Sequence, residues 1–442
     1  PNPNSHRSVA MAPPLDYATA ALRVQLLQAA EDGDLRLFKR AATALDGGKG
    51  RLREAVEGAI ASDCGAGALH VAARHGRLPV CAYLVEDLQL NVDAVDHSGE
   101  TPLGYAVVKG TVNTVRYLLD HGANPDKPSG DRSSAPLHLA VAEGNCEIVK
   151  VLLLKGADVN LYCHWGTSLY IAAVSGLDDV MKILLDHHAD CNKAVCIDDT
   201  PLIIALRAHR EKCVKLLIEG GADLKGVGSA NPIIVAITEG LTESLKCLIK
   251  AGADPNVLDD LGRLPIEVAA SLNSRAHVKI LFPLTSRIPF VREWSIDGII
   301  AYVKSAMEDD PILKMNPANM KLEANKAYRR KDYVTAARLY HAALGYFRED
   351  KTLISNRSLC WLKMGEGDKA LRDAQICRRR YGDWPKACFL EGAARMLLKD
   401  YEKARDAFVD GLKLDTGNTE IENALREALH SLKMSHDNRK DH

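Results

Sequence analysis

Aromatic side chains are scarce: Phe, Trp and Tyr together make 5% of the 442 residues. Sandwiches and barrels lean on aromatic and β-branched residues to fill their sheets, so this scarcity, beside abundant Ala and Leu, points to helical arrays. No run of eighteen or more apolar residues occurs, which argues against a spanning helix. The eleven cysteines form no C-x-x-C pair and no regular framework, so reduced thiols in a cytoplasmic or nuclear setting are expected. "CNKAVC" places Cys191 near Cys196 in what reads as an exposed turn, but no second pair completes a zinc site. H-E-x-x-H is missing, and "HVAARH" sets His70 and His75 five apart, where they share no helix face. The glycine-rich "GAGALH" follows no predicted strand and makes no phosphate cradle. With no nucleophile, base or metal constellation at a workable spacing, the sequence predicts neither catalysis nor a cofactor.

What is present is repetition. "GALHVAARHG", "TPLGYAVVKG", "APLHLAVAEG", "TSLYIAAVSG", "TPLIIALRAH", "NPIIVAITEG" and "LPIEVAASLN" align, and their matching residues Leu69, Leu103, Leu137, Leu169, Leu202, Ile233 and Ile266 recur every 31 to 34 positions. Most units end on a turn at Gly122, Gly156, His188, Gly221 or Gly252. The period near 33 and the T-P-L-H-x-A start match the ankyrin signature. Thr-Pro opens the first helix by capping and a preset φ, and glycine supplies the left-handed turn that ends the second. Each unit exposes an apolar face that only a stacked neighbour covers. An ankyrin solenoid over 20–285 is expected, with about six full repeats and degenerate ends. In the T-P-L-H turn, His70 is expected to satisfy loop backbone.

The period then changes. Ala336, Ala370 and Ala404 stand 34 apart, each preceded twelve residues earlier by a small residue: Ala324, Ser358 and Gly392. Small side chains at both positions let two helices approach closely, the tetratricopeptide pattern. Three such repeats and a capping helix are expected over 318–432, making the whole chain all-α. A linker over 286–317 carries a helix in "WSIDGIIAYVKSAM", opening at Ser295 or Asp297, with Trp294 as a packing anchor between the arrays. The opening "PNPNSHRSVAMAPP" has no signal-peptide core and reads as a segment added ahead of Met11. Residues 1–19 and 433–442 are expected to lack fixed structure.

The net charge of −1 hides an asymmetry. From Ala318 onward there are 25 Lys and Arg against 19 Asp and Glu, leaving 32 basic and 39 acidic residues before it. This mild basic excess suits an anionic partner, but without interleaved aromatics it does not indicate nucleic acid. In a tetratricopeptide array the first helix of each repeat lines a concave groove. Counted from the small residue, Lys321 and Asn325 of the first repeat, Asn356 of the second and Lys386 of the third all fall on that side. Two ammoniums and two amides, with no carboxylate expected nearby, would attract a carboxylate.

These repeats resemble the carboxylate-clamp domains of co-chaperones, which hold the terminal Glu-Glu-Val-Asp of seventy- and ninety-kilodalton heat-shock chaperones. The resemblance implies that Lys321, Asn325 and Asn356 hold a main-chain carboxylate and that Lys386 reaches the acidic side chains. At the fifth clamp position, where a basic residue is expected, stands Leu390, which would modify the clamp or pack an aliphatic ligand residue. Losing one charge-assisted hydrogen bond costs about 1.5–3 kcal/mol. The order of repeats, with "WSIDGIIAYVKSAM" and "SNRSLCWLKMGEGDKALRDA", also resembles plant ankyrin–tetratricopeptide proteins, implying a cytosolic adaptor.

In the ankyrin part, "NLYCHWGTS" clusters Tyr162, His164 and Trp165 at a loop tip, and exposed aromatics enrich binding hot spots. The sequence therefore predicts a non-catalytic adaptor, with a chaperone tail in one array and a client or second factor on the other. The alternative is a general scaffold for folded partners or internal peptides.

Overall fold

The computed structural model describes residues 17–128, 134–195, 199–226, 230–259, 261–289, 291–312, 314–347 and 349–437. The chain divides into two compact units, one ending at Asp190 and the other starting at Cys191.

The first unit is built from helical pairs. Its helices are α1 (Tyr17–Asp32), α2 (Leu35–Asp46), α3 (Leu52–Glu57), α4 (Ala68–Arg74), α5 (Leu78–Ala82), α6 (Pro102–Val108), α7 (Val112–Asp120), α8 (Pro136–Ala142), α9 (Cys146–Leu154), α10 (Ser168–Ser175) and α11 (Asp178–Asp186). A two-residue hairpin, β1 (Tyr162–Cys163) with β2 (Gly166–Thr167), precedes α10. The aligned Leu69, Leu103, Leu137 and Leu169 are all buried at the starts of their helices, where stacked neighbours cover them. Thr101 and Thr167 cap α6 and α10 through their hydroxyls, as Thr-Pro and Thr-Ser starts predict. The helix-ending turns at Gly122 and Gly156 take φ of 87°, and His188 takes 61°, so the histidine carries the left-handed strain that glycine avoids.

Successive loops are tied by one recurring contact. Asp93 accepts from the Asn124 amide at 3.1 Å, Asp126 from Asp158 at 2.9 Å, and Asn160 from Asp190 at 2.8 Å. The turns ending in Asp93, Asp126 and Asn160 thus repeat a side chain that bonds the backbone of the next repeat.

In the second unit the ankyrin-type helices are α12 (Pro201–Arg207), α13 (Glu211–Glu219), α14 (Pro232–Thr238), α15 (Thr242–Lys250), α16 (Pro265–Ser271) and α17 (Arg275–Leu281). Leu202, Ile233 and Ile266 are fully buried among them. The linker helix α18 (Ile296–Asp309) starts where its sequence predicts, the Ser295 hydroxyl accepting from the Gly298 amide at 3.0 Å. It packs on α16, and Trp294 stacks on Phe282 at 5.3 Å, so its ring contact lies at the end of the ankyrin-type helices.

Three helical hairpins follow: α19 (Pro317–Arg329) with α20 (Tyr333–Tyr346), α21 (Lys351–Met364) with α22 (Gly367–Arg380), and α23 (Pro385–Leu397) with α24 (Tyr401–Leu414); α25 (Thr419–Asp437) packs on α24. The small residues sit where paired helices touch. Ala324, Ala336, Ala370 and Ala404 have no exposed surface, and the Ser358 hydroxyl donates to the Ala370 carbonyl at 3.0 Å. A Cβ on Gly392 would lie 2.4 Å from the Phe408 ring, so only glycine admits that ring.

Candidate functional site

The ankyrin histidines serve the loops. His70 accepts from the Gly67 amide on Nδ1 at 3.2 Å and donates from Nε2 to the carbonyls of Ala94 (3.1 Å) and Glu100 (3.2 Å). His138 repeats this, accepting from Ala135 at 3.2 Å and donating to Leu161 at 3.0 Å. Burial holds both imidazoles below their ordinary range, hence neutral, as this one-acceptor, one-donor pattern requires. Cys191 is buried, its thiol facing the Gly220 carbonyl at 3.4 Å, which corrects the exposed turn expected for it. Cys196 lies outside the described residues. Among the described residues no three His, Cys, Asp or Glu side chains gather to hold a metal.

Tyr162, His164 and Trp165 occupy the hairpin ahead of α10. Tyr162 is 45% exposed and Trp165 51%, with His164 edge-on to the indole at 5.9 Å. Trp165 lines an open groove of about 400 Å³ with Leu139, Ala142, Tyr170, Ile171 and Val174.

In the second unit the candidate residues come from successive hairpins, Lys321 and Asn325 from α19, Asn356 from α21 and Lys386 from α23. Asn325 on α19 accepts from the Tyr340 hydroxyl at 2.7 Å, and the Asn356 amide on α21 donates to that same hydroxyl at 3.5 Å. Tyr340 thereby joins Asn325 and Asn356 from adjacent repeats. Its side chain is buried, which pushes the phenol up to about 12 and keeps it a neutral donor. Sequence reasoning missed Tyr340 because it lies on α20, the second helix of its hairpin. The Tyr340 bond engages the Asn325 Oδ1 and leaves its amide nitrogen as a donor.

Lys321 is not waiting for a ligand. Its ammonium lies 2.8 Å from the Asp350 carboxylate, correcting the expectation that no acidic group stands near the clamp. Asp350 also caps α21, accepting from the Thr352 amide at 2.8 Å and the Leu353 amide at 3.3 Å. Burial raises the carboxyl's pKa, but the bonds from Lys321 and Thr352 outweigh it and hold the group at about 2. The site thus has a permanent carboxylate beside its first lysine.

Lys386 lies at the start of α23 with its ammonium 5.8 Å from the Trp384 ring centroid, and burial lowers its pKa. Leu390, one turn later, has no exposed surface and offers none to a ligand. The arginines around it are engaged. Arg378 reaches Glu391 (3.2 Å) and Asp410 (2.9 Å), Arg395 reaches Glu391 (2.8 Å) and Asp400 (3.1 Å), and Arg357 forks onto buried Asp373 at 2.8 and 2.6 Å. Each arginine is held by at least one carboxylate, so none supplies the basic residue expected at the Leu390 position.

Comparison with known proteins accords with the repeats. A family model described as ankyrin repeats matches residues 26–129 and 137–228 in three copies, so the chain carries ankyrin repeats and the protein-interaction surface they build. Ankyrin repeat protein nuc-2 of Neurospora crassa is 31% identical over 160 residues, 35% of this chain and 15% of that protein. The heat shock protein sti1 homolog of Schizosaccharomyces pombe is 36% identical over 107 residues, 24% of this chain and 18% of that protein. The Hsp70-Hsp90 organizing protein of Triticum aestivum is 29% identical over 110 residues, 25% of this chain and 19% of that protein. The chain spans less than a fifth of each relative's length.

Proposed function

We propose that the protein is a non-catalytic cytoplasmic adaptor. Its C-terminal hairpins act as a tetratricopeptide groove for the acidic C-terminal tail of a heat-shock chaperone, and its ankyrin repeats hold a client or second factor. The observation that carries this reading is the meeting of Asn325 and Asn356 on one tyrosine hydroxyl, beside Lys321. Two amides and an ammonium from adjacent repeats suit a planar carboxylate, whose four lone-pair directions accept several donors at once. Likeness to a sti1 homolog and to an Hsp70-Hsp90 organizing protein, each named for heat-shock proteins, supports the same ligand class.

Titration with Met-Glu-Glu-Val-Asp tests it. Asn325→Ala and Asn356→Ala should each weaken binding about tenfold, as loss of a bond to a charged group does; unchanged affinity in both variants would overturn the assignment. A general scaffold is the second reading, favoured by the exposed Tyr162 and Trp165, which suit a partner at the ankyrin hairpin.

A further inference from the structure

We propose that Lys351 is a specificity-determining residue: with Lys386 it makes a two-ammonium seat on the Trp384 ring for an acidic side chain two or three residues before the terminal carboxylate of the bound peptide. The inference rests on the reading of the groove given above and adds the residue that stands in for the base missing at Leu390.

Three observations carry it. The Lys351 ammonium lies 5.1 Å from the Trp384 ring centroid and that of Lys386 lies 5.8 Å from it, so one indole holds two cations from adjacent repeats. The indole's π-face favours such placement. Among the described residues neither lysine makes an ion pair, although most cations around them do. Asp350, beside Lys351 in sequence, is bonded to Lys321 and to the first turn of α21.

The seat is also held firmly. Trp384 packs against the cluster of Ile354, Cys377 and Ala387, and the Tyr381 hydroxyl donates to the Glu349 carbonyl at 2.5 Å, tying the two repeats together beside it. Neither ammonium has a carboxylate at ion-pair distance among the described residues, and Glu420 acts on Lys386 only through longer-range attraction, so both gain from an added anion.

Spacing selects which anion. Lys351 and Asn356 lie five residues apart on α21, about 7.5 Å along its axis and about 140° around it, so an anion held at Lys351 and Lys386 lies to one side of the Asn356 amide. An extended peptide advances about 3.3 Å per residue, so its second or third residue from the end comes level with the lysine pair. Glutamate there is bonded; glutamine is not.

The test is calorimetric titration of the full chain and its Lys351→Ala variant with Met-Glu-Glu-Val-Asp and Met-Gln-Gln-Val-Asp, with Lys321→Ala and the amidated peptide alongside. Lys351 is exposed at the first position of α21, so alanine leaves the packing intact. Lys351→Ala should weaken the glutamate peptide about three- to tenfold and the glutamine peptide less than about twofold. Equal losses on both peptides, or no loss on either, would overturn the seat while binding that amidation and Lys321→Ala abolish leaves the groove reading in place. No binding of the glutamate peptide to the unaltered chain overturns both.

Discussion

Replacing Asp350 with asparagine removes the carboxylate that holds Lys321 and keeps a residue that caps α21 equally well. A ligand carboxylate bonded to the same ammonium would stand roughly 5 Å from Asp350. Two unit charges at that distance repel by about 0.8 kcal/mol in water and about 3 kcal/mol at the dielectric typical near a protein surface. The Lys321 and Asp350 side chains are 41% and 30% exposed, which places the repulsion toward the screened end, about 1 kcal/mol. Asp350→Asn should therefore tighten Met-Glu-Glu-Val-Asp about fivefold, with the gain shrinking as salt is raised. The cost to folding is small, about 0.2–1 kcal/mol for a partly exposed pair. Calorimetry at low and high salt measures the first, and denaturant unfolding the second. Weaker binding by Asp350→Asn would refute the reasoning, making Asp350 the residue that holds Lys321 in place and not its competitor.

Further outcomes follow from packing and charge. Gly392→Ala should lower stability by about 1–3 kcal/mol, seen as a lower denaturant midpoint, because its Cβ meets the Phe408 ring at 2.4 Å. Arg357→Ala should cost about 3–5 kcal/mol in the same assay, since it strands the buried Asp373 carboxylate. His70 and His138 titrate below their unfolded value of 6.5, so the unfolded chain binds more protons as pH falls. Their contribution is full above pH 6.5 and is lost below it, so unfolding midpoints at pH 5.5 should lie below those at pH 7.5, with His70→Gln and His138→Gln reducing the difference.

The repeats could be read from the chain because each depends on residues whose role is local. Leu69 and its counterparts are buried wherever the period places them, and Ala324, Ser358 and Gly392 are small because a facing helix is close. The site was harder to read. Lys321 meets Asp350 across 29 residues, and the sequence shows Asp350 only as a good cap for the next helix. Tyr340 joins Asn325 and Asn356 from the second helix of a hairpin, whereas groove positions are counted along the first helices. Lys351 and Lys386 each lie near the Trp384 indole, a shared contact that no spacing rule contains. Leu390 falls at a groove position by count yet is fully buried, so counting gives the face of the helix and packing decides what reaches solvent.

The central claim is that the groove takes a free C-terminal carboxylate. Titrating the full chain with Met-Glu-Glu-Val-Asp as the free acid and as its C-terminal amide tests this most directly. The account predicts a dissociation constant of roughly 10–100 μM for the acid, weakened by the missing base at Leu390, and no binding of the amide. Equal affinity for acid and amide, or no heat from either at several hundred micromolar, would contradict it.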